Sequence, residues 1–325
     1  MPEAIECIDL ERIYTSKSLL GKKQETQALK GISFSAQHGT VFSLLGPNGS
    51  GKTTTMRILA TLLTPTSGKA YIHGVDVAHN PAEVRKRIGL ILGGDRGFYG
   101  RLTGRENLWY FAILNSIPSA GIKIRISDVL AQVGMTEAAD IAVEKYSKGM
   151  KQRLHIARGI LTDPDVVLMD EPTIGLDPEG AHELRELIPR FTSQGKTILL
   201  TTHYMSEADE LSSQVAIINK GTIVASGTPS EIKKNFSKTS VAEVILRRNI
   251  LPATAPLMSL PGVKEIAQTE DGPIKKITLY MESEVDNKAS IISLLGADNI
   301  EYFAMRDSTL EEAYLSIVRK SVDVQ

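Results

Sequence analysis

Apolar residues in this chain fall into short continuous runs separated by helically spaced stretches. Val41-Phe42-Ser43-Leu44-Leu45 is a β-branched and apolar run that stops at Gly46, the pattern of a buried strand. Thr53 to Leu63 fits a helix that stops before Thr64-Pro65. Val166-Val167-Leu168-Met169 and Thr197-Ile198-Leu199-Leu200-Thr201 are two further runs of strand length. Between the runs at 46–53 and 146–152 lies a helix-rich stretch. Arg105 to Ile117 is expected to be one helix, and Ser127 to Val133 another that ends at Gly134. Trp109, Tyr110 and Phe111 lie inside the first, where burial habits favour core packing over a binding surface. Strands alternating with helices predict an α/β core around a largely parallel sheet.

The pattern changes after about Thr239. Strands are expected at 241–247, 263–269, 274–281 and 299–305, and helices at 253–259, 286–295 and 309–319. That order, βαββαβ with a final helix, predicts a small α+β domain of the ferredoxin-like kind. Two domains follow, 1–235 and 236–325, with a helical subdomain at about 95–160 inside the first. Residues 241–325 carry 13 acidic and 9 basic side chains, which argues against an RNA-binding appendage.

Composition narrows the function by exclusion. Hydrophobic residues make up 42% and charged residues 23%, ordinary globular usage. The formal net charge of −1 gives no reason to expect nucleic acid or an anionic membrane surface. One cysteine, Cys7, excludes an internal disulfide and suits a reducing compartment. The start, Met1-Pro2-Glu3-Ala4-Ile5-Glu6, places acids where a signal peptide carries positive charge. No stretch approaches the ~20 apolar residues that span a bilayer, so any membrane role would need a second chain.

Candidate chemistry begins at Gly46-Pro47-Asn48-Gly49-Ser50-Gly51-Lys52-Thr53, a G-x-x-x-x-G-K-[ST] run between a strand and a helix. Its glycines let backbone N–H groups converge on phosphate oxygens, and the helix N-terminus adds the positive end of its dipole. Lys52 is a point charge for the terminal phosphates, and the Thr53 hydroxyl is placed to ligate Mg²⁺. Asp170 ends an apolar strand and Glu171 follows. There, the first acid suits a magnesium beside the phosphate loop and the second a general base for an attacking water.

With these runs in place, the chain resembles the nucleotide-binding subunit of an ATP-binding-cassette (ABC) transporter over roughly residues 5–230. Gly46 to Thr53 is similar to the Walker A loop and Val166 to Asp170, with Glu171, to Walker B. Tyr146-Ser147-Lys148-Gly149-Met150 is similar to the L-S-G-G-Q signature, and Ile174-Gly175-Leu176-Asp177 to the D-loop. Tyr14 sits where the family stacks an aromatic ring on adenine, and His203 where a switch histidine contacts the γ-phosphate. The resemblance implies a P-loop NTPase fold: a RecA-like core, an antiparallel β subdomain, an inserted helical subdomain, and here a small C-terminal α+β domain.

It also implies a function. ATP would be bound by Tyr14, the 46–53 loop and Thr54, and sandwiched by Ser147, Gly149 and Asp177 of a second copy. Magnesium would sit on Thr53 and Asp170, and hydrolysis would rest on Glu171 and His203 with Lys52. The clamp would drive a separate integral-membrane permease from the cytoplasmic face of the cell membrane. Such Y-S-x-G-M-K signatures resemble those of drug, antibiotic and polysaccharide exporters. Asp307-Ser308-Thr309-Leu310-Glu311-Glu312-Ala313-Tyr314 resembles the closing helix of daunorubicin-resistance-type ATPases. Phe98, Tyr99 and Leu102 fall where the family borders its permease, a contact that competes evenly with core packing.

Departures from the pattern are specific. Gly93-Gly94-Asp95 occupies the place of a glutamine that reaches Mg²⁺ and the attacking water, a contact either absent or supplied by Asp95 or a backbone group. Lys148 replaces the signature's first glycine, and Met150-Lys151 its glutamine. Ser16 to Gln24 is a basic insertion expected to form a solvated hairpin. A soluble ABC ATPase is the alternative, although such proteins usually carry coiled-coil insertions or two cassettes.

Overall fold

The computed structural model describes residues 3–17, 23–92, 97–237, 239–247, 254–271, 274–282 and 287–322. These divide into two compact units, Met1–Pro229 and Ser230–Gln325.

The first unit opens with the antiparallel strands β1 (Ile5–Lys17) and β2 (Lys23–Ala36). Their ladder reaches Ser16↔Gln24 and Lys17↔Lys23; residues 18–22 of the basic insertion lie outside the described residues. Strand β3 (Val41–Leu45) feeds helix α1 (Lys52–Leu59), and the chain returns through β4 (Ser67–Ile72) and β5 (Val75–Asp76). Helix α2 (Pro81–Arg87) then leads into β6 (Ile88–Leu92). Three helices follow: α3 (Gly104–Leu114), α4 (Ser119–Gln132) and α5 (Lys148–Ile160). Beyond them come β7 (Val166–Asp170), α6 (Pro178–Ser193), β8 (Thr197–Thr202) and α7 (Met205–Leu211), closed by the hairpin β9 (Gln214–Asn219) and β10 (Thr222–Gly227).

Two sheets result. One is antiparallel, in the order β2-β1-β4-β5; the other runs β10-β9-β3-β8-β7-β6. Within the second, β9, β3, β8, β7 and β6 are mutually parallel and only β10 is antiparallel. A parallel sheet covered on both faces needs apolar side chains at every position, and β3 and β7 are buried throughout. Alternate residues enter different cores. Phe42, Leu44, Val166, Leu168 and Leu199 join the cluster shared with α1 and the antiparallel sheet. Val41, Val167, Met169, Ile198 and Leu200 join the cluster of the helices α3 to α6.

Helix α5 meets strand β6 through a pair of glycines. A Cβ on Gly89 would lie 2.1 Å from the Gly159 carbonyl oxygen, and one on Gly159 would lie 2.5 Å from Ile91 Cγ1. The two backbones therefore touch without an intervening side chain.

Some elements depart from the sequence expectation, each for a local reason. Helix α1 stops at Leu59 rather than Leu63, because Thr61 turns to φ 60° and the Leu62 and Leu63 N–H groups both donate back to the Arg57 carbonyl. Helix α4 begins at Ser119, well before Ser127. Its buried stripe of Ile122, Ile126, Val129 and Leu130 is interrupted in sequence by outward polar residues. Helix α3 starts from a capping box in which Thr103 and Glu106 exchange hydrogen bonds. It buries Gly104, Asn107, Leu108 and Ala112, which turns Trp109 and Tyr110 outward at 36% and 38% exposure. Core packing of those two aromatics is thus overturned; Phe111 is half-buried against Phe98.

The second unit contains α8 (Pro229–Ser237), β11 (Thr239–Leu246), α9 (Thr254–Met258), β12 (Val263–Asp271), β13 (Ile274–Glu282), α10 (Lys288–Leu295), β14 (Ile300–Asp307) and α11 (Leu310–Val322). Its antiparallel sheet is ordered β12-β13-β11-β14, the split βαβ arrangement. Ala242, Val244, Leu246, Ile277 and Leu279 form its core with Ile291 and Leu295 of α10. The closing helix is fixed at its start by Glu312, which accepts from the Thr309 N–H at 2.7 Å and pairs with Arg306 through both carboxylate oxygens. Those contacts hold the Glu312 carboxyl below its ordinary pKa against the opposing effect of burial.

Gly89→Ala should lower the stability of the first unit by about 1–3 kcal/mol, since backbone cannot yield as a side chain does. Gly121→Ala, in α4 with nothing within 4 Å, is the control and should keep or slightly raise stability, by up to about 1 kcal/mol. Thermal unfolding of both variants against the wild-type chain checks this.

Candidate nucleotide site

The 46–53 loop leaves β3 at Gly46 and re-enters regular structure at Lys52. Gly51 takes φ 118°, and a Cβ there would meet Leu29 Cδ2 at 2.7 Å and the Ala28 carbonyl oxygen at 2.9 Å, so only glycine fits. Lys52 is 3% exposed. Its ammonium donates to the Gly46 and Pro47 carbonyls at 2.7 and 3.2 Å and lies 3.4 Å from Glu171 Oε1. Ser50 Oγ is buried and has no hydrogen-bond partner. An orphaned hydroxyl just before the N-terminus of a helix is suited to an incoming anion's oxygen.

Strand register brings the acids to this loop. Leu45 lies opposite Thr202, and Thr201 opposite Asp170, so β3, β7 and β8 end together. The Thr53 hydroxyl donates to Asp170 Oδ1 at 3.4 Å, an all-oxygen donor pair of the type a hard divalent cation takes together with phosphate oxygens. Among the described residues, no three His, Cys, Asp or Glu side chains gather as a self-sufficient metal site.

Thr201 is a residue that the motif reading missed. Its hydroxyl donates to Asp170 Oδ1 at 2.5 Å and accepts the Glu171 N–H at 3.1 Å. Glu171 sits at φ 48°, a left-handed conformation costing about 1–3 kcal/mol for such a residue, and its N–H also reaches the Thr201 carbonyl at 3.0 Å. The turn aims the Glu171 carboxylate between two side chains: Oε1 faces the Lys52 ammonium, and Oε2 lies 3.3 Å from His203 Nδ1. A cavity of about 370 Å³ opens beside this cluster, lined by Asn48, Thr53, Asp170 and Glu171 on one side and Met56, Leu62 and Leu90 on another.

Thr54 follows Thr53 on α1 and is half-buried. Tyr14 lies on β1 opposite Thr26, two positions before Ala28, with the Arg12 guanidinium 4.9 Å from its ring centre. Gly93, Gly94 and Asp95, which stand in place of the family glutamine, lie outside the described residues.

Ser147, Gly149 and Asp177 gather elsewhere. They line a second cavity of about 570 Å³ with Lys148, Arg153 and Glu183. Ser147 caps α5, its Oγ accepting the Met150 N–H at 3.1 Å, and Asp177 caps α6, accepting the Gly180 N–H at 2.9 Å. Arg153 pairs with Glu183 across the cavity. Tyr146 is buried, and its hydroxyl donates to the Ala138 carbonyl. A Cβ on Gly149 would meet only Ser147 Oγ at 3.8 Å, so nothing within this chain requires glycine there.

Phe98 is packed inward, with its ring centre 4.3 Å from His155 and Arg158 over its face. The buried Asn107 side chain holds the next turn, accepting the Tyr99 N–H and donating to the Tyr99 and Thr103 carbonyls. Tyr99 itself is 50% exposed and meets Tyr110 edge-on. Ile113 and Leu114 extend this outward apolar surface, and Leu102 is half-buried.

Comparison with known proteins gives concordant results. The family model described as ABC transporter matches residues 29–174. The daunorubicin resistance ATP-binding protein DrrA3 of Streptomyces coeruleorubidus is 33% identical over 295 residues, covering 90% of this chain and 92% of that protein. The ABC transporter ATP-binding protein NatA of Bacillus subtilis is 40% identical over 212 residues, 65% of this chain and 86% of its own length. Among solved structures, the ATP-binding subunit of an ABC transporter aligns at a TM-score of 0.62 and 29% identity, over 72% of this chain and 93% of its own.

Proposed function

The chain belongs to the ATP-binding-cassette transporter family, and from that membership we propose an ATP-binding and ATP-hydrolysing subunit that drives a separate membrane permease in export. The observation that carries this reading is the division of phosphate-facing residues between two cavities with no lining residue in common. A nucleotide on the 46–53 loop leaves Ser147, Gly149 and Asp177 of the same subunit unused. A second copy, packed head to tail, brings those residues to it and closes the site. Gly149 supports this arrangement, because its missing side chain serves no contact inside its own chain.

Within the site the residues divide the work. Loop N–H groups and Lys52 hold the terminal phosphates, Tyr14 takes the adenine ring, and Thr54 completes the loop side. Thr53 and Asp170 would hold magnesium, which supplies Lewis-acid charge neutralisation when bound. Glu171 accepts a proton from water as that water's oxygen bonds to the γ-phosphorus and the bond to the ADP oxygen breaks. His203 contacts the γ-phosphate and, 3.3 Å from Glu171 Oε2, holds the base in line. Because Glu171 also faces Lys52 at 3.4 Å, a phosphate arriving at the ammonium competes with Glu171 for it.

Export follows the relatives named for resistance to daunorubicin and to linearmycin. No helix among the described residues is long and apolar enough to cross a membrane. In this reading the permease is a separate chain, and the subunit docks on it at the cytoplasmic face of the membrane. The exposed surface of Tyr99, Trp109, Tyr110, Ile113 and Leu114 is the proposed permease contact.

Glu171→Gln should bind ATP without turning it over and accumulate as a dimer on gel filtration; a variant still monomeric at saturating ATP would sink the clamp. Gly149→Ala should keep or slightly raise stability, by up to about 1 kcal/mol, yet lose the ATP-dependent dimer, as melting and gel filtration would read together. Tyr99→Ala should leave basal hydrolysis intact and weaken permease-stimulated hydrolysis; unchanged stimulation would remove Tyr99 from the contact.

A further inference from the structure

Glu207 is 4% exposed, and acids are rarely buried unless their oxygens are occupied. Its Oε2 accepts the Thr202 hydroxyl at 2.9 Å, and its Oε1 lies 3.9 Å from Arg185 Nη1. The Thr202 hydroxyl is used in both directions, since it also accepts the Tyr204 N–H at 3.0 Å. Helix α7 has Tyr204 as its N-cap, which makes Glu207 its third residue. An acid at that position ordinarily bonds directly to the N-cap N–H, as Glu106 does to Thr103 at the start of α3. Here a threonine hydroxyl is inserted between the two.

That insertion has a specific geometric effect. The bonds Glu207–Thr202 and Thr202–Tyr204 bracket a single residue, His203. Side chains alternate along β8, so Thr201 pins one face of the strand end to Asp170 while Thr202 pins the opposite face to Glu207. Arg185 ties the same acid to α6, the helix that Asp177 caps, and its Nε reaches Glu210 at 3.3 Å. We infer that Glu207 is a positioning residue for ATP hydrolysis: through Thr202 it fixes the backbone that aims His203, and through Arg185 it couples that aim to the helix carrying Asp177. The inference rests on the assignment of His203 to the γ-phosphate in the proposed function.

The test uses the full chain and ATP with magnesium. Glu207→Ala should lower kcat by about 10- to 100-fold, the usual cost of a misaimed group, while KM for ATP and the Kd of a fluorescent ATP analogue stay within about twofold. Glu207→Gln, which keeps an acceptor for Thr202, should restore most of kcat. Thr202→Val, nearly equal in volume, should reproduce the loss even if Glu207→Ala folds poorly. In a His203→Ala background, Glu207→Ala should cost nothing further. Wild-type kcat in Glu207→Ala and Thr202→Val overturns the inference and leaves the functional reading standing. So does a loss that persists in full without His203, or one carried equally by Kd. A wild-type chain that turns over no ATP overturns both.

Discussion

The parallel register of β3, β7 and β8 is the constraint on which the site depends. It ends the three strands on one line, with Leu45 opposite Thr202 and Asp170 opposite Thr201. The phosphate loop, the two acids and the histidine are far apart in sequence, and each leaves the carboxyl end of one of these strands, where open α/β sheets gather their ligands. A slip of one residue would turn Thr201 to the other face and separate it from Asp170. Every side chain on β3 and β7 is buried, in the two cores that flank the sheet, so the polar chemistry at the strand ends is held by an apolar frame.

Charge balance within the cluster comes from the same geometry. Glu171 follows β7 in a left-handed turn that strand pairing alone would not choose, and two hydrogen bonds from its N–H to Thr201 hold it there. Its carboxylate is shared between Lys52 and His203. Backbone strain at this point orients the Glu171 carboxylate, and the sheet behind it bears the cost.

Legibility in the sequence followed how much of each feature was local. The loop 46–53, the Asp170-Glu171 pair and the strands around them could be read because each is a contiguous run with one physical meaning. The order of elements in the second unit was readable for the same reason. Thr201 and Thr202 were hidden, since a threonine in an apolar run reads as an ordinary strand former. Their hydroxyls acquire partners only when β7, β8 and α7 are side by side. Glu207 and Arg185 were hidden too, for a lone acid on a short helix reads as solvated until its burial is known. Trp109 and Tyr110 misled in the other direction: their apolar character suggested a core, but the helix phase set by Leu108 and Ala112 turned them outward.

The glycine contact between β6 and α5 gives the molecule a stiff joint. A layer of side chains between two elements acts as a spring, because rotamers shift before backbones do. Gly89 against Gly159 leaves no such layer. A push on β6 therefore passes to α5 undamped, and α5 carries Ser147 and Gly149 at its other end, 13 residues from first to last. Displacement at one end of this lever appears at the other with little lost to local give.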